Sequence, residues 1–183
     1  KQAEMKKLLA GINKIKKEKK IDQPIAIKIS PDIDDSEISR IIDLIKSFNI
    51  QGIIISNTTD NNRKNLSDIN KNEAGGLSGQ PLKDISTNLI KKCYKETKGK
   101  IKIIGVGGVD SGQSAFEKII AGADAVQLYT GMVYKGPGIV KEIKKELISI
   151  LKKENLKNVS EAVGINAWPL YKQELYSTRK NYV

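Results

Sequence analysis

Residues 101–131 constrain the fold of this chain more than any other stretch. They begin Ile-Lys-Ile-Ile-Gly-Val-Gly-Gly-Val-Asp-Ser-Gly and end Ala-Gly-Ala-Asp-Ala-Val-Gln-Leu-Tyr-Thr-Gly. Residues 101–106 are short, apolar and β-branched, which predicts a strand buried on both faces. Gly105, Gly107 and Gly108 sit where a chain leaving a strand must bend and let another group approach its backbone. Asp110 or Ser111 then offers a helix cap, Ala115, Phe116, Ile119 and Ile120 share one helical face, and Gly122 can end the helix. Residues 125–129 read as the next strand, running into Thr130 and Gly131. The whole is a βαβ unit that gathers backbone amides at the carboxyl ends of two parallel strands. Such a place can hold a phosphate.

Composition narrows the chemistry. Across 183 residues the net charge is +11, yet only Arg40, Arg63 and Arg179 are arginines. The lysines alternate with Glu and Asp along helical stretches and are not gathered with aromatics. They describe a solvated surface and not a nucleic-acid face. There is no histidine and one cysteine, which excludes His-based proton transfer and His/Cys metal sites within the chain. Cys93 lies one helical turn from Leu89, the pattern of a buried core thiol, and a lone cysteine fits a reducing compartment. No apolar run approaches the length of a membrane span, and no signal peptide is visible. The chain opens mid-helix without an initiator methionine, and so reads as a piece of a longer protein.

Met5, Leu8, Leu9, Ile12 and Ile15 form the apolar stripe of a first helix. Residues 25–30 predict a strand whose oddity is Lys28. A lysine inside a buried parallel strand costs free energy unless its ammonium meets an anion or water, or the strand is an edge. Asp34, Asp35 or Ser36 caps a second helix carrying Ile38, Ile41, Ile42 and Ile45. Residues 52–56 predict the second strand, and Asn57, Thr58 and Thr59 at its end either meet a small polar ligand or cap a turn. The Asn- and Lys-rich stretch 60–73 reads as a surface excursion. Gly75-Gly76-Leu77-Ser78-Gly79 closes it, and a third helix runs from Asp84 or Ser86 to about Lys98. After Lys135-Gly136-Pro137-Gly138, a long helix places Ile139, Val140, Ile143, Leu147, Ile150 and Leu151 on its buried side, and residues 158–162 start a short one. Residues 168–183 show no periodicity, and 166–183 are set apart as a tail from the unit 1–165.

Four strand–helix repeats, with every unusual residue at a strand's carboxyl end, predict an α/β architecture. A flavodoxin-like open sheet is one solution. The other is the C-terminal half, about four β/α units, of a (β/α)8 TIM barrel. A phosphate site in the last two repeats favours it, because barrels commonly hold phosphate after strands 7 and 8.

The combination of Ile27-Lys28-Ile29-Ser30-Pro31-Asp32, Ser56-Asn57-Thr58-Thr59, Gly75-Gly76-Leu77-Ser78-Gly79, Ile104-Gly105-Val106-Gly107-Gly108-Val109, Ala121-Gly122-Ala123 and Val126-Gln127-Leu128-Tyr129-Thr130 resembles the dihydroorotate dehydrogenases. Within them it is most similar to the membrane-associated class 2 enzymes that pass electrons to quinone. The likeness covers residues 1–165, with Ser30 where many members have Ala. It implies a barrel that oxidises (S)-dihydroorotate to orotate with FMN in pyrimidine biosynthesis.

Carried over by position, the resemblance implies that Lys28 lies near the flavin and assists its reduction with a positive charge. It implies that Ser56, Gly79, Gly107 and Gly108 contact the flavin, and that Tyr129 and Thr130 meet the phosphate end of FMN. Asn57 and Thr58 are implied to hydrogen-bond the pyrimidine substrate. The serine base, further asparagines and the amphipathic helices of the quinone tunnel would lie in a first barrel half that this chain lacks. No residue here is therefore assigned as the catalytic base. The complete enzyme would sit peripherally on a bacterial or mitochondrial inner membrane through that absent half. Two other readings stay open: another FMN-dependent pyrimidine oxidoreductase (a class 1 dihydroorotate dehydrogenase or a dihydropyrimidine dehydrogenase-like domain), and a phosphate-binding half-barrel without chemistry of its own.

Overall fold

A computed structural model describes residues 2–61, 63–64 and 66–168; beyond residue 168 the expected tail lies outside the described residues. Helices and strands alternate along it: α1 Gln2–Glu18, β1 Ala26–Ile29, α2 Asp35–Ser47, β2 Gly52–Ile55, α3 Lys83–Thr97, β3 Lys102–Val106, α4 Gly112–Ala121, β4 Ala125–Gln127, α5 Thr130–Lys135 and α6 Ile139–Lys153. Side chains that compete for orphan amides set the helix starts. Of the three candidate caps before α2, Asp34 is the one used. Its carboxylate accepts from the Glu37 amide, and Glu37 reaches back to the Asp34 amide. Ser111 caps α4 in the same reciprocal way with Ser114. Helix α3 starts slightly earlier than the sequence suggests, because a 3-10 turn at Gln80–Leu82, opened by Pro81, leads directly into Lys83.

The four strands are parallel and lie in chain order, with Ile29 beside Ile55, Ile55 beside Gly105, and Gly105 beside Val126. A doubly wound sheet returns strands to both sides of its first one, so this order excludes the flavodoxin-like solution. It is the winding of a barrel wall. Strand alternation then sorts the residues. Ile29, Ile53, Ile55 and Ile103 point to one face and are buried with Ile38, Ile42 and Ile45 of α2 and Leu89, Ile90 and Cys93 of α3. On the other face Ala26, Lys28, Lys102, Ala125 and Gln127 are exposed, while Ile54, Ile104 and Val106 are half-buried. The two-faced burial predicted for residues 101–106 is therefore corrected. Within this chain only the helix side is covered.

Two smaller cores finish the second half of the chain. Ala115 packs with Val109, Ile139 and Ile143, and Phe116 and Ile119 pack with Leu151 and Ala162. Cys93 is the core thiol the sequence suggests, and burial pushes its pKa up to about 12. Helix α1 is covered on one side only: Leu9 is buried, but Leu8 is 63% and Ile15 50% exposed. Lys118 breaks the reading of the lysines as a solvated surface, since it is fully buried inside α4's packed face.

Candidate functional site

The carboxyl ends of all four strands open into one cleft of about 500 Å³, within the usual range for small-ligand sites. Every residue that the family resemblance assigns to flavin or substrate lines it. Lys28 comes from β1, Ser56, Asn57 and Thr58 follow β2, and Gly79 precedes α3. Gly107 and Gly108 follow β3, and Tyr129 and Thr130 follow β4. Residues more than 100 positions apart meet here because parallel winding brings each strand's carboxyl end to the same rim.

Lys28 lies beside Ile54 on the uncovered face of an edge strand. Its side chain is exposed, so its ammonium meets water and no burial cost arises within this chain. After β2 the backbone is pinned. The Asn57 amide donates to the Ile29 carbonyl at 2.8 Å, and the buried Ser56 hydroxyl donates to the Asn57 carbonyl at 2.9 Å. Asn57 and Thr58 are thereby left with exposed side chains at the cleft.

Thr59, grouped with them in the sequence, does something else. It is fully buried, its hydroxyl donates to Asp32 at 2.5 Å, and its backbone pairs with Leu77 in both directions. Asp32 also accepts from the Asp60 amide at 3.1 Å. Burial raises the Asp32 pKa, but the hydrogen bonds from Thr59, Asp60 and Asn61 together hold it below the usual carboxylate range. Asp32 thus ties the end of β1 to the loop that carries Asn57 and Thr58. Gly76 packs against that loop so closely that a Cβ there would lie 1.9 Å from the Thr58 hydroxyl oxygen.

The opposite wall is backbone. Gly107 and Gly108 have φ of +107° and +68°, and a Cβ on Gly108 would lie 2.4 Å from the Cβ of Lys83 in α3. Ser78 and Thr130 share a hydrogen bond of 2.9 Å across the rim. Sequence reasoning missed three further groups. Gln80 donates its amide to the Gly108 carbonyl at 3.4 Å, Lys135 donates to the Asp110 carbonyl at 3.0 Å, and Tyr134 lines the cleft, 84% exposed. Lys135 and Tyr134 were hidden because α5 begins where the sequence reads as a strand end. Glycine backbone on one wall, hydroxyls at the rim and two lysines suit a flat ligand bearing a phosphate.

Strands in chain order, one uncovered sheet face and a ligand cleft at the carboxyl rim define part of a (β/α)8 barrel with its site in the usual place. A sequence profile described as "Dihydroorotate dehydrogenase" matches residues 1–151, and the chain belongs to that family. Over 150 residues it is 49% identical to "Dihydroorotate dehydrogenase (quinone)" of Trichodesmium erythraeum, covering 78% of this chain and 40% of that one. The mitochondrial protein of the same description from Mus musculus is 44% identical over 142 residues, covering 78% and 36% respectively. The ligand-free crystal structure of dihydroorotate dehydrogenase from Eimeria tenella superposes with a TM-score of 0.76 at 40% identity, covering 79% of this chain and 40% of that one. The chain spans about two fifths of the length of these relatives.

Proposed function

We propose that this chain forms the second-half wall of a quinone-dependent dihydroorotate dehydrogenase, holding FMN and one side of the substrate in the cleft. The observation that carries the reading is convergence: nine residues nominated from five separate motifs line one cleft at the carboxyl ends of four parallel strands. Gly79, Gly107 and Gly108 would let a planar ring system lie against backbone, and Tyr129 with Thr130 would border its phosphate end. FMN, when bound, supplies the acceptor for the hydride that leaves dihydroorotate.

The chain's own residues bind and orient. Lys28 brings a positive charge to the rim of β1, where it favours the build-up of negative charge during the reaction. Asn57 and Thr58 offer an amide and a hydroxyl from a pinned backbone, able to pair with the carbonyl and N–H groups of a pyrimidine ring. The proton that leaves dihydroorotate is taken by a base in the part of the barrel this chain does not span. The same part carries the quinone contact and a peripheral attachment to an inner membrane. Among the described residues no helix is long and apolar enough to cross a membrane.

In the full-length enzyme, Asn57→Ala should raise the dihydroorotate concentration needed for half-maximal flavin reduction while leaving bound flavin nearly intact. A ligand group left unpaired costs about 1–3 kcal/mol, so the shift should be about fivefold or more. Loss of FMN with unchanged substrate affinity would put Asn57 on the wrong ligand. A full-length wild-type protein that holds no flavin would overturn the whole reading.

A further inference from the structure

Lys118 is the largest fully buried side chain in the described structure, and it makes no ion pair. Its ammonium donates to the Ser86 hydroxyl at 2.6 Å, the Thr87 hydroxyl at 3.1 Å and the Lys83 carbonyl at 3.3 Å. All three acceptors belong to the first turns of α3, Lys83–Thr97. That is the positive end of a helix dipole, the wrong end for a cation. The charge is thus buried without an ion pair and against the dipole, a costly arrangement for folding in spite of its three hydrogen bonds. Its stem packs against β3, where a Cβ on Gly105 would lie 3.2 Å from the Lys118 Cδ. Methionine could fill that space equally well.

What the charge reaches is the cleft wall. The Ser86 hydroxyl accepts from Lys118 and shares its own hydrogen between the Lys83 carbonyl at 3.1 Å and the Gly107 carbonyl at 3.4 Å. The peptide between Gly107 and Gly108 is trans, so its carbonyl and its amide point in opposite directions. Holding the Gly107 carbonyl toward α3 aims the Gly108 amide away from α3, and both glycines line the cleft. A hydroxyl that accepts from an ammonium is also a stronger donor.

We propose that Lys118, acting through Ser86, is a positioning residue for the cofactor. It fixes the Gly107–Gly108 peptide with its amide facing the cleft and sets a positive charge behind that wall for an anionic ligand. The proposal rests on the reading of the cleft as an FMN site. The charged groups facing Lys118 are Glu117 on its own helix and Lys83 and Asp84 on α3, with Lys83 paired to Glu117 at 2.8 Å. Burial, the largest influence, lowers the Lys118 pKa from 10.5 to about 8. An unfolded chain keeps its proton up to the higher value. Between about 8 and 10.5 the unfolded state therefore binds more protons, and folding stability should rise with pH. FMN affinity should fall over the same rise as the buried charge is lost.

The test uses the full-length protein, with FMN as the probe and its dissociation constant read from flavin fluorescence, beside apoprotein unfolding. Lys118→Met should weaken FMN binding about tenfold at pH 7, without lowering apoprotein stability, and should abolish the fall in affinity above pH 8. Ser86→Ala should weaken FMN similarly, and the double variant should be no worse than either single one. Equal FMN affinity in wild type and Lys118→Met at every pH would overturn the positioning role while leaving the flavin site standing. Should Lys118→Met fail to fold, Ser86→Ala decides alone, and unchanged FMN affinity in it overturns the proposal. A wild type that binds no FMN would overturn both readings.

Discussion

A lysine on an edge strand is inexpensive while its ammonium meets water, and Lys28 is in that position within this chain. Once the rest of a barrel and a ligand close over the cleft, the same charge becomes partly desolvated and its influence grows. Lys28→Ala in the full-length enzyme should therefore slow flavin reduction by dihydroorotate about tenfold or more and weaken FMN retention. Stopped-flow reduction at the wild-type rate, with normal flavin content, would remove Lys28 from the mechanism. At this scale the sequence exposed some residues and hid others. Lys28 stood out because a charge interrupts an isoleucine-rich strand. Lys118 did not, because one lysine among 32 basic residues looks like surface, although it falls three residues after Ala115 and three before Ala121, both buried.

At the scale of elements, the turn after β3 is where local sequence and packing coincide. Both glycines take positive φ, and Gly108 also lies on Lys83 with no room for a methyl group. Gly108→Ala should push the turn off α3, releasing FMN and lowering the melting temperature of the full-length enzyme together. A variant that melts like wild type and keeps its flavin would show that the turn can shift without consequence. Caps were equally local. Asp34 and Ser111 stand among the candidates the sequence offered, because a side-chain acceptor near an orphan amide needs no distant partner. Helix α5 was not legible. It is six residues long, carries no side-chain cap and follows a strand that ends two residues sooner than its pattern suggests. A helix that short draws its stability from tertiary contacts rather than propensity.

At the scale of the whole molecule, the sheet has one covered face and two unpaired edges, β1 and β4. Leu8 and Ile15 of α1 and Tyr129, Val133 and Tyr134 around α5 add exposed apolar surface. Such edges and patches invite association. Residues 1–183 expressed alone should aggregate or remain colourless, and should not oxidise dihydroorotate. Supplied with the remainder of a family barrel, by co-expression or in one continuous chain, they should turn yellow and reduce a quinone analogue with dihydroorotate. A soluble, yellow, active protein of these 183 residues alone would show that the half-barrel account is wrong.

The sequence by itself determined the repeating strand–helix order, the buried thiol of Cys93 and the glycine turn, and it narrowed the caps of α2 and α4 to a few candidates. Each depends on residues within a few positions or on a simple periodicity. It also singled out Lys28 within a strand, Asn57, Thr58, Gly107, Gly108, Tyr129 and Thr130 at or just past strand ends, and Gly79 in the loop before a helix. Only the tertiary structure decided that the strands lie in chain order and that one face stays uncovered. Strand order is a choice between long-range pairings that look alike locally. It also decided that Thr59 is spent on Asp32 and not on the cleft, and that Lys118 stands behind the Gly107 carbonyl. Both depend on partners more than twenty residues away, brought close by parallel winding, and no local pattern records such a meeting.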